Sequence, residues 1–135
     1  MLNQDYRILK FLTKQKKDRV KYELVKNRQT LLYKFNDVER YFNLSKIIKD
    51  LTDYSMQEVF HYLKQTVGSL KKAYILSTND DYDGQILDFN QEILGALFAH
   101  GFPSVVLFND GYMFLIGEYV MGAYSPKYLL KSDKN

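Results

Sequence analysis

The sequence predicts an α+β fold, a single compact domain in which an antiparallel or mixed sheet of about five strands packs with about four helices. Three observations lead there. The chain has 135 residues, 46% of them apolar, which is enough for one core and too little for two. Apolar residues recur at helical spacing in some segments, while others are short runs of β-branched and aromatic residues. The order is helix, hairpin, two helices, strand, helix, hairpin, without the regular alternation of a doubly wound sheet. The domain is expected to span residues 1–125, with 126–135 as a basic, flexible tail carrying Lys127, Lys131 and Lys134.

Tyr6, Leu9 and Leu12, flanked by Ile8 and Phe11, recur at helical spacing, so Asn3 to about Gln15 reads as an amphipathic helix that Lys14, Lys16 and Lys17 end. Val20, Tyr22 and Leu24 then alternate with Lys21 and Glu23. After Asn27-Arg28 comes Leu31-Leu32-Tyr33-Lys34-Phe35, which suggests two strands joined by a turn. Asn36 ahead of Glu39 has capping-box spacing, and the helix it opens carries Val38, Tyr41, Phe42, Ile48 and Leu51, with a break near Asn43. Ser55 with Glu58 opens the best-marked helix, whose stripe is Met56, Val59, Phe60, Leu63 and Val67, and Gly68 stops it.

Ala73 to Ser77 is short, apolar and bounded by turn formers, as a strand should be. Asp88 with Gln91 begins another helix, with Ile93, Leu94, Leu97 and Phe98 inward. Gly101 suits the left-handed position after its last turn, and Pro103 forbids continuation. Ser104 to Phe108 and Tyr112 to Val120 flank Asn109-Asp110-Gly111, a strong hairpin signal. Met113 to Ile116 is apolar on both faces, which places that strand inside the sheet.

Charge is unevenly distributed. The net charge is only +3, yet residues 1–28 hold nine basic and three acidic residues, and residues 79–135 hold three basic and eight acidic. No Lys or Arg occurs from Ala73 to Pro126. Without cysteine, the chain has no disulfide framework, thiolate zinc site or cysteine nucleophile. A start without a basic, apolar leader and the lack of a membrane-length apolar run make a soluble, cytoplasmic protein the expectation. Lysine outnumbers arginine 15 to 4, the composition of an AT-rich genome, which favours a bacterial, phage or mobile-element source.

The basic end interleaves aromatics with Lys10, Lys14, Lys16, Lys17, Arg19, Lys21, Lys26 and Arg28. Such cations can neutralise phosphates while Tyr or Phe stacks on bases. The plainer reading is a solvated face of one helix and one hairpin. Asn36 to Val67 can also be parsed as a helix-turn-helix with Lys46 and Lys49 on a recognition helix. That parsing lacks a turn glycine, so core helices fit it better.

Asn79, Asp81 and Asp83 stand at alternate positions before Gly84, with Ile86 two further on. Over eight residues this segment resembles an EF-hand-type loop, which implies calcium or another hard cation such as magnesium. Asn90 stands where that loop needs a bidentate glutamate, and a strand precedes it, so an Asp-rich turn feeding a helix is the competing reading. His61 and His100 read as a boundary residue and a helix-end residue. Neither a nucleophile elbow nor a glycine-rich phosphate loop is present. No catalytic residue and no cofactor is therefore assigned.

Twelve tyrosines and nine phenylalanines leave rings over for an interface, with Tyr119, Tyr124 and Tyr128 as contact candidates and a homodimer as its simplest form. The leading expectation is a small, non-enzymatic binding protein that contacts nucleic acid through its basic N-terminal third. The alternative is a protein-binding inhibitor or immunity-type module using the acidic, tyrosine-rich half. A metal-dependent nuclease ranks third.

Overall fold

The computed structural model describes residues 4–118 and 125–132. Two short 3₁₀ turns, Asp5–Phe11 and Lys14–Lys16, lead into α1 (Lys17–Lys26), α2 (Arg28–Lys34) and α3 (Val38–Tyr41). A third turn, Leu44–Lys46, precedes β1 (Ile47–Asp50). The chain continues through α4 (Met56–Val67), β2 (Ala73–Ser77), β3 (Ile86–Leu87), α5 (Gln91–His100), β4 (Ser104–Leu107), β5 (Tyr112–Ile116) and β6 (Lys127–Lys131). The six strands form one sheet in the order β1-β6-β5-β4-β2-β3, and every neighbouring pair is antiparallel. This is an α+β fold.

Helices cover both faces of the sheet. Because side chains alternate along a strand, Tyr74, Leu76, Val105, Leu107, Met113, Leu115 and Leu130 pack against the N-terminal helical segments. Ala73, Ile75, Val106, Phe108, Phe114, Ile116 and Leu129 pack against α4 and α5. Two-sided burial explains why β2, β4 and β5 read as continuous apolar runs. Inside the sheet, Ser77 and Ser104 are directly opposite and satisfy each other through their hydroxyls at 2.8 Å.

Several local signals act as expected. Ser55 and Glu58 form a complete capping box at α4, Gly101 adopts the left-handed conformation after α5, and Gly111 makes the β4–β5 turn at φ 80°. Among the described residues, no helix is long and apolar enough to cross a membrane.

Four expectations are corrected. Val20 to Phe35 is a helical pair, not a hairpin, because burying Val20 and Leu24 on one helix and Leu31, Leu32 and Phe35 after the turn satisfies both segments at helical spacing. Ile47 to Asp50 is an edge strand instead of the end of a helix, which removes the helix-turn-helix parsing. Residues 127–131 are an interior strand, paired with β5 and β1, and not part of a tail. The α5 cap is Asn90, whose side chain accepts from Ile93 N–H at 2.9 Å, while Asp88 accepts from Lys72 N–H.

Candidate functional site

The helical pair turns at Asn27, so the start of α1 meets the end of α2. There the two helices and α3 enclose a cavity of about 570 Å³. Lys16 and Arg19 line it from the first side, Tyr33 and Lys34 from the second, and Asn36, Asp37, Arg40 and Tyr41 from the third. Four cations thus face a single lining carboxylate. Lys16 Nζ and the Arg40 guanidinium lie 5.5 Å and 6.0 Å from the centre of the Tyr41 ring, so one buried aromatic steadies both. Tyr41 is itself fixed edge-on against Phe35.

Glu23 holds two of these cations. Its side chain is 1% exposed, and Oε1 accepts from Lys34 Nζ at 2.8 Å and from Arg19 Nε at 3.3 Å. Burial pushes this carboxyl up, but the bonds from Lys34 and Arg19 outweigh it and hold it below its ordinary value. Oε2 is buried without a hydrogen-bond partner. Glu23 therefore fixes two of the four cations while Lys34 and Arg19 stay 40% and 64% exposed. Such a set can bind an anion of one or two negative charges, and the half-open Tyr33 ring can stack on a planar group.

Of the eight basic residues expected to act together, the structure brings Lys16 and Arg19 into this cavity. Lys10 and Lys14 are exposed on the preceding turns, and Lys21 and Lys26 are exposed on α1. Lys17 is half-buried at the start of α1. Tyr22 and Val25, both 58% exposed, sit among these lysines. Arg28 is different: its side chain is 14% exposed and clamped between Asp5 and Asp83, so it is a structural cation and not a surface contact. Burial works against its charge, but the two carboxylates more than offset this and raise its pKa.

The acidic loop is drawn to the opposite end of the helical pair. Asp83 accepts from Arg28 Nε at 2.8 Å and Nη2 at 2.9 Å, and also from Ser77 N–H. Asn79 accepts from Asp81 N–H at 3.0 Å, and Gly84 turns the chain at φ 76°. The spacing that resembled a cation loop thus builds an Asx turn and one half of an arginine clamp. Among the described residues, no group of three or more His, Cys, Asp or Glu side chains could hold a metal ion.

Tyr128 lies half-buried in β6 against the N-terminal core, and Tyr119 and Tyr124 lie outside the described residues. His61 is exposed on α4. Sequence reasoning missed Tyr33, Lys34 and Arg40. A helical reading of residues 17–34 would have found them, since it places the start of one helix beside the end of the next. No protein-family model, curated protein or solved structure matches the chain.

Proposed function

We propose that this is a non-enzymatic, cytoplasmic binding protein that contacts nucleic acid through its N-terminal helical layer. A backbone phosphate sits in the cavity between Lys16, Arg19, Lys34 and Arg40, and a neighbouring base stacks on Tyr33. Lys21 and Lys26 on the outer face of α1 extend the contact along the strand, with Tyr22 as a second stacking ring. The observation that carries this reading is the convergence of four cations and an accessible tyrosine on one cavity with a single lining carboxylate. Arg28 takes no part.

The charge layout supports the same reading. The clamp at Arg28 gathers Asp5 and Asp83 at the far end of the helical pair, leaving the cationic end free of them. An approaching polyanion is therefore oriented towards the cavity. Fluorescence anisotropy of labelled single- and double-stranded oligonucleotides tests the proposal. It expects binding that weakens steeply with salt and no cleavage of the probe. Absence of binding at low salt would overturn it.

A further inference from the structure

A second cavity, of about 390 Å³, lies on the other side of the sheet between the start of α4 and the end of α5. Tyr54, Met56, Leu97, Phe98 and Ile116 give it one apolar wall, Thr52, Asp53, Ser55, Glu58 and Ser125 are polar, and Lys127 of β6 lines it. Lys127 is only 7% exposed, an unusual place for a lysine. Its Nζ donates to Thr52 O at 3.2 Å and to Ser125 O at 3.1 Å. Among the described residues, no carboxylate comes within ion-pair distance of it. Two backbone acceptors thus take two of its N–H groups, and the Phe98 ring lies 5.1 Å from Nζ.

We propose that Lys127 is a nucleophilic amine and that this cavity takes a small, uncharged aldehyde or ketone, which it holds as an imine. The amine lone pair attacks the carbonyl carbon, forming the Nζ–C bond as the C=O π electrons move to oxygen. A proton passes from nitrogen to that oxygen, giving a carbinolamine. Loss of the second N–H proton and of the oxygen as water leaves the C=N bond, with no change of oxidation state.

Burial favours the neutral amine, and it lowers the Lys127 pKa against the opposing pull of Asp53 and Asp50. Glu58 also lines the cavity, but its carboxylate is occupied by Ser55 N–H in the capping box. The Phe98 ring, 5.1 Å from Nζ, favours the cation and is the opposing contact on the wall. Tyr54, Met56, Leu97, Phe98 and Ile116 suit a hydrocarbon or aromatic body, and the carboxylates of Asp53 and Glu58 disfavour a strongly anionic one.

The test is reductive alkylation of the full chain with benzaldehyde and cyanoborohydride near neutral pH, mapped by mass spectrometry over all 15 lysines. Lys127 is expected to be the first and dominant site in the folded protein, and to lose that preference in denaturant. Lys127→Arg, which keeps N–H donors for Thr52 O and Ser125 O but forms no imine, should lose the dominant adduct while the exposed lysines label as before. Labelling that follows exposure, with Lys127 among the slowest lysines, would overturn the proposal and leave Lys127 a structural tether of Thr52 to Ser125. The oligonucleotide experiment addresses a separate cavity, so either result stands without the other.

Discussion

Replacing Arg28 with methionine separates a structural cation from a binding one. Arg28 donates to both oxygens of Asp5 and to both oxygens of Asp83. Asp5 is 0% exposed and also accepts from the Tyr74 hydroxyl at 2.6 Å, while Asp83 is 16% exposed. Methionine fills most of the side-chain volume but removes the Arg28 charge from beside a fully buried carboxylate, a change that costs about 3–5 kcal/mol. Asp83 can regain water, which favours the lower end, so about 3 kcal/mol is expected. With a urea dependence of about 1.5 kcal/mol per molar, the unfolding midpoint falls by about 2 M. Asp5→Asn in the Arg28→Met background should recover part of the loss, because the charge that faced Arg28 is then removed as well. Lys26→Met, on the exposed face of α1, should stay within about 0.5 kcal/mol. An Arg28→Met cost below about 1 kcal/mol, the level of an exposed pair, would refute the reasoning.

Three further outcomes are expected. Ser55→Ala removes one half of the α4 capping box and should cost about 1 kcal/mol in urea unfolding. Gly117→Ala would place a methyl group 2.5 Å from both Asn36 Oδ1 and Pro126 Cγ, so a loss of about 1–3 kcal/mol in thermal or urea unfolding should follow. Glu23 titrates below its ordinary value of 4.5 in the folded chain, so its contribution is fully present above that pH and disappears as pH falls through the folded value. Urea midpoints measured across the acid range should show that loss in the wild type and less of it in Glu23→Gln.

The elements that were legible in the sequence are those whose ends carry their own chemistry. Ser55 and Glu58 at α4, Gly101 after α5 and Asn109-Asp110-Gly111 between β4 and β5 all act through neighbours in the chain. The elements misread from sequence depend on distant partners. Residues 20–35 satisfy an alternating and a helical pattern alike, and the choice between them is made by the sheet face beneath, where Val20, Leu24, Leu31 and Leu32 join Tyr74, Leu76 and Leu107 in one core. The strand β6 shows only three apolar residues between lysines. Lys127 and Lys131 lay their side chains along the rings of Phe98 and Tyr112, with Nζ 5.1 Å and 4.8 Å from the ring centres, so the strand sits inside the sheet despite them.

The candidate site follows the same rule. Basic residues were visible as a run in sequence, but a run does not distinguish Arg19, held at a cavity wall by Glu23, from Arg28, consumed by two carboxylates. Lys34 and Arg40 come from a separate part of the chain with a nearly balanced charge, and only the turn at Asn27 and the packing of α3 bring them beside Lys16. The calcium-like spacing of Asn79, Asp81 and Asp83 was real as a pattern. In the structure these residues make a local turn and a clamp across 55 residues of chain.

The most direct test of the central claim compares the wild type with Lys16→Gln/Arg40→Gln by anisotropy of a labelled single-stranded oligonucleotide over a range of salt. Neither side chain is hydrogen-bonded or ion-paired to Glu23, so the Glu23 bonds to Lys34 and Arg19 stay in place in the variant. The account predicts weaker binding and a log–log salt slope shallower by about 0.7 for each cation removed, with the urea midpoint unchanged. Equal affinity and an equal slope in the two proteins would contradict it.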